Sequence, residues 1–181
     1  MTEKVQTDDA PPTTSKHGGA EGKGVACAVT INRPPAEVYA YFRDFANLPT
    51  FMDNIVRIDV LDDRRSHWVV KAPAGETVEW DARLTEDQPG QLLAWTSEEG
   101  ADVPNRGRVE FRDAGARGTV VTAIIDYDPP AGVIGKLVAK LFQREPAIQS
   151  RRDLRRLKQL LETGEIATAA WTKAQHEKEV A

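Results

Sequence analysis

The chain has 181 residues, 20.0 kDa, of which 40% are hydrophobic and 29% charged, with a formal net charge of −4. That length suits one domain with tails and not a multi-domain enzyme with a separate cofactor domain. The acidic balance argues against a generic nucleic-acid binder. A mean hydropathy of −0.47, with no apolar run near the roughly 20 residues that a spanning helix needs, argues against a transmembrane segment.

One cysteine, Cys27, excludes an internal disulfide and a thiolate zinc cluster. The opening MTEKVQTDDAPP lacks the basic-then-apolar order of a signal peptide, so a reducing, cytoplasmic setting is the expectation. Residues 1–22 are rich in Thr, Asp, Lys, Gly and Pro and cannot bury enough surface to offset their ordering entropy; they read as a disordered arm. Residues 165–181 read as a polar tail whose oddity is Trp171, either a stray aromatic or a docking residue. The domain is expected over 23–164.

In chain order, Val25 to Ile31 alternates with period two and reads as a strand that places Cys27 on its apolar face as a small buried hydrophobe. Pro34, Pro35 and Glu37 suit a helix's first turn, and Val38, Tyr41, Phe42 and Phe45 give it an apolar face. A second short helix is expected from Asn47, capped by that side chain, presenting Leu48, Phe51 and Met52. From Asn54 to Asp126 the pattern is alternation. Val56, Ile58 and Val60 form one face, then Trp68 and Val70, then Val78, Trp80, Ala82 and Leu84 opposite Glu79, Asp81 and Arg83. Leu93, Trp95 and Ser97 follow, then a polar loop over Glu98–Asn105, then Val109 and Phe111, then Val121, Ala123, Ile125 and Tyr127. Short turns and no intervening helices predict an antiparallel meander covered on one face only.

The cover is the last element. Val133 to Phe142 and then Ile148, Leu154, Leu157, Leu160 and Leu161 carry a stripe that Gly164 ends, and 130–163 as one helix would span roughly 50 Å. Pro146 must kink or split it. Eight basic residues against three acidic ones over 136–162 make this element a solvated basic face or a docking surface for an acidic partner or an anionic lipid surface.

Several stretches carry a resemblance. They are Ile31-Asn32-Arg33-Pro34-Pro35-Ala36-Glu37-Val38-Tyr39 running into Asp44-Phe45-Ala46-Asn47-Leu48-Pro49, Val78-Glu79-Trp80-Asp81-Ala82, Trp95-Thr96-Ser97, Gly118-Thr119-Val120-Val121, and Asp153 through Ile166. Over roughly 24–166 the chain resembles the START and polyketide cyclase/dehydrase superfamily (SRPBCC), in the branch that includes coenzyme-Q-binding START-like proteins. The resemblance implies an α+β helix-grip fold, in which a curved antiparallel sheet wraps a long C-terminal helix, two short helices follow the first strand, and the gap is a ligand cavity. It also implies a polyketide-, quinone- or lipid-like ligand.

No catalytic constellation stands out. His17 and His176 lie in the tails, and His67 reads as an exposed strand histidine without convergent partners. No metal cluster or phosphate-binding glycine fingerprint is present in the sequence, and no cofactor is expected. Trp68, Trp80, Trp95, Phe111 and Tyr127 share the inward face, either as plain core or as a cavity wall. The candidate ligand-binding residues are Trp80, Trp95, Ser97 and Tyr127, with Phe51 near the entrance. The expected function is binding of a small hydrophobic or aromatic ligand. The rivals are an aromatase/cyclase or dehydrase in the same cavity, and an interaction module lacking a pocket of roughly 300 Å³ or more.

Overall fold

Small and β-branched residues in alternation make Val25–Ile31 the first strand, β1, and it pairs with the last strand in sequence. The computed structural model describes residues 25–72, 75–127 and 146–167. After β1 come helix α1 (Pro35–Arg43) and a 3-10 helix (Phe45–Thr50). Strands β2 (Ile55–Val60), β3 (Arg65–Lys71), β4 (Thr77–Gln88), β5 (Leu92–Ser97), β6 (Asn105–Asp113) and β7 (Thr119–Tyr127) then run to helix α2 (Pro146–Thr163). The strands form one antiparallel sheet in the order β1-β7-β6-β5-β4-β3-β2, curled into a half-barrel with α2 against it, the helix-grip arrangement. The expected arm 1–22, Trp171 and the stripe Val133–Phe142 lie outside the described residues. Pro146 opens the described helix, so the expected kink also concerns a segment outside them.

Two bulges bend the sheet. In β2 the register slips between Ile55 and Arg57, leaving Val56 as an extra residue 46% exposed. This corrects the expected Val56–Ile58–Val60 face: Ile55 is buried, and Val60 is 59% exposed at the free edge. In β4 the slip between Leu84 and Glu86 sets Asp87 opposite Leu93. There Asp87 receives the Tyr39 hydroxyl and Arg43 Nε at 2.8 Å, which ties α1 to the sheet.

The 3-10 helix also differs from expectation. Asp44, not Asn47, caps it, with Oδ1 accepting the Ala46 N–H at 3.2 Å. Asn47 instead donates to the Tyr41 carbonyl at 3.2 Å. Phe42, Leu48, Phe51 and Phe111 form the buried aromatic and aliphatic core at this end.

Helix α2 buries Leu154 and Leu157 in the same core as Cys27 and Ile31 of β1. Lys158 Nζ donates to the Thr30 carbonyl at 2.7 Å and to Glu162 Oε1 at 2.8 Å, and Glu162 Oε1 also accepts the Asn32 N–H at 2.6 Å. Nearer its start, Arg156 and Arg152 meet the Asp53 carboxylate at 2.9 and 3.4 Å. Three of the basic residues read from sequence as a free face are therefore engaged with partners inside the domain. Gly164 ends the helix at φ +83, and Ile166, assigned from sequence to the polar tail, packs on the core.

A tryptophan-walled cavity

The curl of the sheet leaves a partly open, mostly apolar cavity of about 180 Å³ between its concave face, the 3-10 helix and α2. Alternation in each strand aims the walls. Trp68 and Trp80 are directly opposed across β3 and β4 and stack with their rings 11° apart and centroids 6.2 Å apart. Trp95 on β5 lies opposite Gly107 on β6. A Cβ at Gly107 would stand 2.5 Å from the Trp95 ring and 2.9 Å from the Ile124 carbonyl oxygen, so the missing side chain gives the indole its seat. Tyr127 ends β7 opposite Asn105.

Four of the five residues singled out from sequence line this cavity: Phe51, Trp80, Trp95 and Tyr127. Phe51 is 1% exposed, part of the wall and not a gatepost at the entrance. Ser97 is the exception. It is not among the lining residues, and its Oγ accepts the Asn105 N–H at 3.0 Å, fixing the start of β6. Asn105, read as the end of a loop, is the first residue of that strand and is buried. Its Oδ1 accepts from Trp95 Nε1 at 3.2 Å and its Nδ2 donates to the Val103 carbonyl at 2.9 Å. Ser66, also buried, accepts from Trp68 Nε1 at 2.8 Å.

The residue that sequence reading missed is Asp153. It is 5% exposed and lines the cavity from α2 beside Gln149, whose Nε2 donates to its two oxygens at 3.0 and 3.3 Å. Burial, reinforced by the Asp53 carboxylate, raises its pKa to about 7 against the pull of Gln149, Arg156 and Arg152. Burial and the neighbouring Asp153 likewise hold the Tyr127 hydroxyl in its protonated form. A signal was present in the sequence: Gln149, Asp153, Leu157 and Leu160 recur at helical spacing, which puts the acid on the buried stripe.

His67 stands on the opposite, convex face. It is not isolated, as expected from sequence, but contacts Asp81 at 2.7 Å and Glu79 at 3.5 Å. Among the described residues no group of three His, Cys, Asp or Glu side chains is placed to hold a metal ion, and no helix is long and apolar enough to cross a membrane. At about 180 Å³ the cavity falls below the roughly 300 Å³ expected to set a ligand site apart from an interaction module, yet a dry cavity of about 150 Å³ already holds benzene.

The family described as polyketide cyclase/dehydrase and lipid transport matches residues 31–155. A 17.2 kDa protein in the melC2-rnhH intergenic region of Streptomyces lincolnensis is 30% identical over 145 residues, 80% of this chain and 93% of that protein. Among solved structures, a Deinococcus radiodurans protein is 43% identical, with a TM-score of 0.64, covering 77% of this chain and 97% of its own. An aromatase/cyclase from a Streptomyces species is 15% identical, with a TM-score of 0.63, covering 81% of this chain and 99% of its own; that likeness is one of fold.

Proposed function

The chain belongs to the polyketide cyclase/dehydrase and lipid transport family, and from that premise we propose that it binds one small, flat, hydrophobic molecule in its cavity and releases it unchanged. The observation that carries this reading is the wall itself. Trp68, Trp80, Trp95 and Tyr127 converge on a space of about 180 Å³ that suits one or two fused rings and is too small for a long acyl chain. Among the polyketide-, quinone- and lipid-like candidates, this favours the ring compounds.

Native mass spectrometry of the purified full chain, followed by identification of whatever small molecule co-purifies, tests the proposal. A ring compound bound one to one is the expected result. A long-chain lipid, or protein that neither carries nor takes up aromatic ring compounds, overturns it.

A cyclase or dehydrase acting in the same cavity is the second reading. It is favoured by one observation, a buried acid on the cavity wall with a pKa of about 7, the range in which general acid–base groups work. The two readings separate by the fate of the ligand. A binder returns it unaltered after incubation with excess protein, and an enzyme does not.

A further inference from the structure

The polar groups on the cavity wall differ in how much bonding capacity they have left. The Asn105 side chain has partners on both its oxygen and its nitrogen, and Ser66 Oγ accepts from Trp68 and keeps a hydroxyl proton that does not titrate. Asp153 differs. It is 95% buried, it faces the cavity, and among the described residues its two oxygens share one donor, Gln149 Nε2. A carboxyl set this deep in an apolar wall is favoured as the neutral acid, because burial penalises the charge. The groups that act on it come from three elements: Asp53 on the loop before β2, Tyr127 on β7, and Arg152 and Arg156 on its own helix. Asp53 opposes ionisation and the two arginines favour it, but burial outweighs them. Tyr127 keeps its proton throughout the neutral range and takes no part in the titration. Since the carboxyl oxygens already accept from Gln149, what the neutral acid offers the cavity is its O–H. The partner that fits an O–H donor at the edge of an aromatic slot is a carbonyl oxygen on a ring. A cationic ligand would need the carboxylate instead and would meet Arg152 and Arg156 beside it.

We propose that Asp153 is a proton-gated anchor for the carbonyl oxygen of a one- or two-ring ketone. The protonated carboxyl donates to the carbonyl while the tryptophans hold the ring, and loss of the proton removes that donor and sets a carboxylate oxygen against the carbonyl oxygen, which releases the ketone. This rests on the binding reading above and adds the ligand's functional group and the condition for its release.

The probes are 1-tetralone, a two-ring aryl ketone, and tetralin, nearly the same skeleton without the oxygen. Each is titrated by calorimetry into the full-length protein at about pH 5.5 and about pH 8.5. When only the protonated fraction of a group titrating near 7 is competent, tetralone binds about 30-fold more weakly at the higher pH, while tetralin binds equally at both. Asp153→Asn, whose amide donates at every pH, removes the pH dependence and holds tetralone within about threefold of the low-pH wild-type affinity, with melting curves confirming that the variant is folded. Absence of pH dependence for tetralone, an equal dependence for tetralin, or a dependence that survives in Asp153→Asn overturns the anchor and leaves the cavity reading standing. Failure of both compounds to bind at either pH overturns the cavity reading and the anchor with it.

Discussion

The two faces of β3 and β4 are built from adjacent residues in one register, and they do opposite things. Trp68 opposes Trp80 on the concave face, and the neighbouring His67 opposes Asp81 on the convex face. The first pair stacks as part of a cavity wall; the second is an ionisable pair with side chains 27% and 45% exposed. Arg57–Asp59, Arg106–Asp126 and Arg108–Glu110 continue the convex pattern of short, exposed pairs. Exposed ion pairs contribute about 0–1 kcal/mol each, whereas a buried aromatic ring contributes several times that. The larger share of the stability therefore resides on the concave side, where the proposed ligand would also sit, and the convex side chiefly keeps the sheet wetted.

The comparison is tested most severely by Trp95→Ala. Loss of that ring is expected to reduce stability by about 3–5 kcal/mol, read from denaturant unfolding, because it removes a large side chain and the partner of Asn105 Oδ1. A loss below about 1 kcal/mol would place the concave face on the same footing as the convex one.

Next in size is the acid on α2. Its pKa in the folded protein, about 7, lies above the ordinary value of 3.8 that it regains on unfolding, so the folded state binds the extra proton between these limits. The stability it confers is full below pH 3.8, falls as pH rises, and is lost above about 7, by a span on the order of 4 kcal/mol. Melting curves of wild type and Asp153→Asn, collected from acid to pH 8, check this. The difference between them should move in favour of the variant as pH rises, and a constant difference would remove Asp153 from the account.

Gly107→Ala comes third. The added methyl meets the Trp95 ring and the Ile124 carbonyl, so a cost of about 1–3 kcal/mol is expected, together with weaker tetralone binding as the indole is pushed into the cavity. Unchanged binding would mean that the indole moves elsewhere. The smallest effect belongs to the convex face. His67→Ala should change stability by no more than about 0.5 kcal/mol and leave tetralone binding untouched, measured by the same melts and titrations.

How far these faces could be read in advance depended on the kind of signal. Strict alternation in 78–84 gave the β4 register, with Val78, Ala82 and Leu84 buried, Trp80 on the cavity wall, and Glu79 and Arg83 exposed. Alternation failed in β2, because a bulge inserts one residue without leaving a mark in composition, and Val56 moved out of the face assigned to it. Ser97 illustrates a different limit. Its place in the alternation was right, but its hydroxyl serves the Asn105 N–H, a partnership across the 98–104 loop that no periodicity encodes. Asp153 was passed over because it was counted as one charge on a basic helix, although its spacing from Leu157 already set it on the buried stripe. Asp53 was invisible for the opposite reason: its arginine partners are about 100 residues away.

The pairing of β1 with β7 has a consequence in time. Val25–Ile31 is the first of the seven strands in chain order, yet its hydrogen-bonding partner is Thr119–Tyr127, the last, and Lys158 reaches its Thr30 carbonyl across 128 residues. Until those partners are made, the first strand is an unpaired edge carrying Cys27 and Ile31, side chains that end fully buried. Closing so distant a contact costs loop entropy before any burial repays it, so this chain belongs with the slow, high-contact-order folders. The meander β2 to β7 joins neighbours through short connections and can assemble locally, while the sheet is completed only when its first and last strands meet.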